Sequence, residues 1–93
     1  MLSHEEALSI AVRAFYATEH EGKRVPDGMY FGVDVSDEAN VIAFKWTLDD
    51  LSETTKLDLN QDEQLTRDMA AATGRVMAAQ CIAKAQAAGA YDG

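Results

Sequence analysis

Three pairs of adjacent carboxylates, Asp37-Glu38, Asp49-Asp50 and Asp62-Glu63, come closest to a chemical constellation in this chain. Paired carboxylates support general acid–base catalysis when burial raises the pKa of one member. Each pair here falls in a stretch that reads as a turn or a helix start, where water keeps both groups ionised. The pairs therefore predict a binding surface, not a catalytic one. Other chemistries also lack their residues. There is no G-x-S-x-G sequence, and neither Cys81 nor any serine has an evident histidine partner. No glycine-rich loop with a lysine is present, and the second predicted helix begins with acids where a phosphate would sit. His4 and His20 are the only histidines. They fall at opposite ends of a predicted helix, about 24 Å apart, and cannot share an ion within one chain if that helix is straight. Asp34, Ser36, Glu38 and Asn40 place oxygen ligands at alternate positions, like the start of a calcium loop. That loop needs Gly where Ala39 stands and a bidentate Glu where Lys45 stands. The expectation is no catalytic residue, no metal site and no cofactor.

The elements that must position these groups read as one α+β domain over residues 1–93, in the order α-β-β-β-α. Ser3 and Glu6 have capping-box spacing, and Leu8, Ala11, Val12 and Phe15 recur at helical intervals. A helix is expected from His4 to His20, stopped by Gly22. Pro26-Asp27-Gly28 is turn chemistry. Met29, Phe31, Val33 and Val35 alternate with polar or small residues, so a first strand should turn these four inward. Val41 to Trp46 should form the second strand, with Ile42, Phe44 and Trp46 on one face. Thr47 to Glu53 reads as an acidic turn and Thr54 to Leu59 as a third strand, with Thr55, Leu57 and Leu59 facing in. Asn60 and Glu63 repeat the capping-box spacing ahead of a helix from Gln61 to Ala88. Leu65, Met69, Ala72, Val76, Ala79 and Ala83 form a seam along it, and ten alanines fall between Ala70 and Ala90. The expected fold is a small antiparallel sheet packed against the N-terminal helix and this long Ala-rich helix, with a break near Gly74 as an alternative to a continuous rod. At about 42 Å the helix is longer than a domain of this size is wide, so its C-terminal half would either overhang the body or lie across the sheet. Tyr91-Asp92-Gly93 reads as a tail.

The excess charge is localised. Residues 27–68 hold eleven acids against Lys45, Lys56 and Arg67, and so carry the whole net charge of −8, while the flanks balance at five and five. Such a field attracts basic partners and repels nucleic acid and anionic lipid. The lone Cys81 excludes an intrachain disulfide framework and reads as a small buried hydrophobe. The N-terminus lacks a basic signal region, and no apolar run is long enough to span a bilayer, so a soluble cytoplasmic protein is expected.

The order of elements resembles the double-stranded RNA-binding domain, a family that grips phosphate with lysines at the start of its last helix. Asn60-Gln61-Asp62-Glu63-Gln64 stand at those positions here, with the opposite sign. The start Leu2-Ser3-His4-Glu5-Glu6-Ala7-Leu8, followed by a strand pair ending in Trp46, is similar to bacterial immunity-type and PepSY-like modules.

Size and charge together predict a small, non-enzymatic inhibitor of the kind encoded by phages against host defence complexes, anti-CRISPR proteins among them, or by bacteria as toxin immunity. It would occlude a basic surface on a nucleic-acid-binding protein or a nuclease complex, without touching nucleic acid or membrane itself. Asp34, Asp37, Glu38, Asp49, Asp50 and Glu53 are the candidate contacts, gathered into one anionic patch, with Tyr30 as an aromatic anchor. The alternative is a homodimeric structural or adaptor module that pairs through Val76, Ala79 and Ala83, with the acids serving solubility alone.

Overall fold

The computed structural model describes residues 1–91. Its elements are α1 (His4–Ala17), β1 (Tyr30–Asp34), β2 (Val41–Leu48), β3 (Leu51–Asp58) and α2 (Glu63–Ala87), the predicted α-β-β-β-α order. The strands form one antiparallel sheet in the order β1-β2-β3, so β1 and β3 are its edges.

Ser3 caps α1, accepting from the Glu6 N–H at 3.1 Å. The Glu6 carboxylate accepts from the Ser3 hydroxyl at 3.1 Å. That hydrogen bond first, and Arg67 after it, hold the Glu6 carboxyl below the usual range. The helix ends three residues before the expected His20. Thr18 turns extended, its N–H reaching the Phe15 carbonyl and its hydroxyl the Ala14 carbonyl. Gly22 belongs to the next feature, a tight reversal closed by paired backbone bonds between His20 and Lys23. Glu21 and Gly22 both adopt positive φ there, 53° and 77°, the signature of a two-residue hairpin turn.

Partners in register share a sheet face. Phe31↔Trp46, Val33↔Phe44, Ile42↔Leu57 and Leu48↔Leu51 set the face that the helices cover. Phe31, Ile42, Phe44, Trp46, Leu48 and Leu57 are buried there. Each such aliphatic or aromatic side chain contributes roughly 1.5–3 kcal/mol by leaving water. The indole N–H of Trp46 is buried without an acceptor among the described residues. Such a group costs about 1–3 kcal/mol, which the burial of the large ring offsets.

The first strand departs from its expected role. Only Phe31 of the four alternating residues is buried, Met29 is half-buried, and Val33 and Val35 are exposed. α1 lies over Phe31, whose ring stacks on Phe15 at 4.4 Å, and the edge strand runs out beyond that cover at Asp34. The second strand continues two residues past Trp46, and the third begins at Leu51, not Thr54. Between them Asp49-Asp50 alone make the turn, with Asp49 at φ 54°. The expected seven-residue acidic loop is thus a two-residue hairpin tip. Leu57 and Leu59 face in as predicted, while Thr55 is half-buried.

α2 is continuous through Gly74, the rod and not the broken alternative. Its cap is Asp62, which accepts from the Leu65 N–H at 3.1 Å. Asn60 lies ahead of the helix, its N–H bonded to the Asp58 carboxylate. The two helices run parallel, side by side. Arg67 meets Glu6 at their starts, Gly74 meets Ala11 midway, and the Tyr91 hydroxyl donates to the Arg24 carbonyl near their ends. The C-terminal half of α2 does not overhang. Met77, Ala78, Cys81, Ile82 and Ala85 are all buried. Tyr91 is a packing residue, not part of a tail; Asp92 and Gly93 lie outside the described residues.

Candidate functional site

The hairpins decide where the acids go. β2 leaves the β1–β2 loop at Val41 and reaches the Asp49-Asp50 tip after Leu48. At about 3.3 Å per residue these ends are roughly 23 Å apart. Asp34, Asp37 and Glu38 lie at the loop end. Asp49 and Asp50 lie at the tip, the end at which Tyr30 enters the sheet opposite Thr47. Tyr30 is exposed, with its ring folded back over Gly32, where an added Cβ would meet the phenol oxygen at 2.5 Å. Glu53 points to the helix side and pairs with Lys84. The six carboxylates proposed from sequence therefore do not form one patch. Two groups occupy opposite ends of the sheet, and one acid is engaged by α2.

A different cluster forms at the loop end. Both helices begin there, because α1 and α2 are parallel and β3 delivers the chain to α2 beside Asn40, whose carbonyl accepts from Leu59 N–H at 2.7 Å. Glu5 and Glu6 of α1, Asp58 of β3, and Asp62 and Glu63 at the start of α2 join Asp34, Asp37 and Glu38. Three basic side chains oppose these eight. Lys45 lies 3.9 Å from Asp34, Lys56 lies 3.8 Å from Glu38, and Arg67 contacts Glu6 at 2.8 Å and Glu63 at 3.7 Å. All are solvent-exposed pairs, and the two lysine contacts are long, so each neutralises little. Asp37 forms no ion pair among the described residues. A groove of about 340 Å³ opens in this pole, walled by Leu8, Val33 and Ile42 and rimmed by Glu5, Asp34 and Glu38. Sequence reasoning left Glu5 and Glu6 in a charge-balanced flank. The available signal was the acid in each helix's first turn, a place favoured by the helix dipole.

A second surface lies on α2. Its buried side is Thr66, Ala70, Gly74, Met77, Ala78, Cys81, Ile82 and Ala85. The seam read from sequence points outward. Leu65 is 48% exposed, Met69 38% and Val76 57%. Ala72 and Ala83 are exposed, and Ala79 is half-buried. Beside this stripe, Thr55 of β3 and Met69, Thr73 and Val76 of α2 line a cavity of about 220 Å³. Of the proposed dimer contacts, Val76 and Ala83 are thus available and Ala79 partly so.

Among the described residues no group of three or more His, Cys, Asp or Glu is arranged to hold a metal ion. Nor is any helix among them long and apolar enough to cross a membrane. Cys81 is fully buried, and burial pushes its thiol up to about 11. Relative to its ordinary 9.0, this lowers the thiolate fraction at neutral pH about a hundredfold. The native protein should therefore leave a thiol reagent such as dithionitrobenzoate unconsumed, with one thiol per chain appearing on denaturation. Rapid labelling of the folded protein would contradict the packing of α2.

No protein-family model, curated protein or solved structure matches the chain.

Proposed function

We propose that the protein is a non-enzymatic binding protein whose acidic pole occupies a basic surface of a protein partner, of the sort that otherwise holds nucleic acid. One observation carries this reading: parallel helices bring eight carboxylates to a single end of the molecule against three basic side chains. The pole gives the field a direction, which steers association with a cationic groove and speeds encounter. The apolar groove within it suits the aliphatic stem of an arginine or lysine, whose charged head would meet the rim carboxylates. Asp34, Asp37 and Glu38 keep their proposed role. Glu5, Glu6, Asp58, Asp62 and Glu63 join them, while Asp49, Asp50, Glu53 and Tyr30 fall outside the main surface. On size and charge, the reading extends to inhibitors of phage-defence complexes and to immunity proteins of nuclease toxins.

Two double variants of equal charge change test it. Asp37→Lys/Glu38→Lys cancels most of the pole's net negative charge, and Asp27→Lys/Asp50→Lys makes the same change at the far end while sparing the positive-φ Asp49. Affinity for a nine-residue arginine peptide, measured by fluorescence anisotropy, should fall about tenfold or more for the pole variant and much less for the other. The wild-type affinity should also weaken steeply between about 0.05 and 0.3 M salt. Equal losses in the two variants would mean that net charge alone matters and would end the reading.

A further inference from the structure

We infer that a second copy of this chain docks on the outer face of α2, antiparallel to it and centred on Ala72. The face is charge-free at its centre: Leu65, Met69, Ala72, Val76, Ala79 and Ala83 follow one another at four- and three-residue steps on one side of the helix. Leu65, Met69 and Val76 are exposed large apolar residues, an arrangement that costs solubility unless covered.

Three features select a second copy as the occupant and fix its direction. The two largest side chains, Leu65 and Met69, open the stripe, and Ala79 and Ala83 close it. Parallel pairing would set Leu65 against Leu65 and leave Ala83 facing Ala83 across a gap. Antiparallel pairing about Ala72 sets Leu65 against Ala79 of the other copy at each end, Met69 close to its Val76, and Ala72 on Ala72 at the centre, so the bulkiest residue meets space at both ends of the contact. Asp68 and Arg75 lie on the same flank of the stripe, both exposed, and Arg75 makes no ion pair among the described residues. In an antiparallel pair like flanks meet, so each Asp68 faces an Arg75 of the other copy, twice per dimer. The stripe also borders the free edge of β3 through Thr55. The same two-fold lays the two β3 edges alongside each other in opposite directions, covering strands of eight residues that otherwise stand open. Asp34, Asp37 and Glu38 of each acidic pole, on the far edge of the sheet from β3, remain free, at opposite ends of the pair.

This inference is independent of the peptide-binding reading, since chain mass and peptide affinity are read separately. Sedimentation equilibrium of the full chain should give twice the chain mass, and Val76→Glu should return one chain with unchanged far-ultraviolet dichroism. Asp68→Arg and Arg75→Asp should each weaken the dimer, and the double swap Asp68→Arg/Arg75→Asp should restore it. Ala72 sits on the axis, so Ala72→Cys should cross-link the pair on oxidation, whereas Ala83→Cys should not. A single-chain mass for the wild type at about 100 μM overturns the inference, that being far above the dissociation constants of specific interfaces. Cross-linking of both cysteine variants overturns the antiparallel arrangement, because a parallel pair brings every stripe residue onto its own copy.

Discussion

Gly74→Val destabilises the protein by roughly 3 kcal/mol or more, and even Gly74→Ala lowers stability by about 1–2 kcal/mol. On a solvent-facing helix surface the alanine change would raise stability by about 1 kcal/mol, because glycine is the poorer helix former. Here the sign reverses. A Cβ at Gly74 would stand 2.4 Å from the Ala11 carbonyl oxygen and 3.1 Å from the Ala14 Cβ. The first obstacle is backbone, which moves only if α1 moves. Ala7 and Ala70, one turn nearer the helix starts, are likewise fully buried. Valine adds two more methyl groups to the clash and forces the helices apart. Urea unfolding followed by the emission of Trp46, the only tryptophan, reads both variants. A stabilising Gly74→Ala would show that the helices do not touch at this point. The consequence reaches the acidic pole, since this contact sets the lateral and axial fit that brings Glu6 to Arg67.

Phe15→Ala carries the other large penalty, about 3–5 kcal/mol. Phe15 is fully buried on α1 and stacks on Phe31 at 4.4 Å, while Phe31 in turn lies 6.0 Å from Phe44. The three rings connect the N-terminal helix to the edge strand and then to the central strand. Removing the first opens a cavity that the rigid sheet beneath cannot collapse to fill. A domain of this length has about 5–14 kcal/mol in total, so the variant should be marginal at room temperature and unfolded well below the wild-type midpoint. Calorimetry or thermal dichroism measures the shift. Phe15→Leu keeps most of the volume and should recover more than half the loss. If alanine and leucine variants melted together with the wild type, α1 would not be anchored by this ring.

The order of elements was legible because local signals and the fold agree. Ile42, Phe44 and Trp46 alternate and are buried together, and the apolar spacing of α1 marks its true inner face. The errors fall where a neighbour, not the local pattern, decides. Val33 and Val35 alternate as correctly as Phe31, yet Val33 opens onto the groove beside Leu8, Val35 lies beyond the end of β1, and both stay exposed. Asp49 accepts positive φ, which let two residues close a turn that composition spread over seven. Gly74 reads in isolation as a weak point in a helix; beside Ala11 it is the place where the helices come together. The α2 stripe has the regular spacing of a core seam, but the residues between its members, many of them alanines, allow the closer packing and take the inner side.

Residue types and spacing alone determined the succession of helix and strand, the inward set of the central strand, the burial of the lone thiol and the sign and sequence range of the charge. Tertiary structure decided which carboxylates become neighbours and which apolar stripe remains outside. Both follow from the direction of the helices relative to the sheet. Three antiparallel strands return the chain to the end from which it started, so α2 begins where α1 begins and their acidic first turns meet. A property built from residues some sixty positions apart is set by chain direction and packing, which no local window of sequence contains.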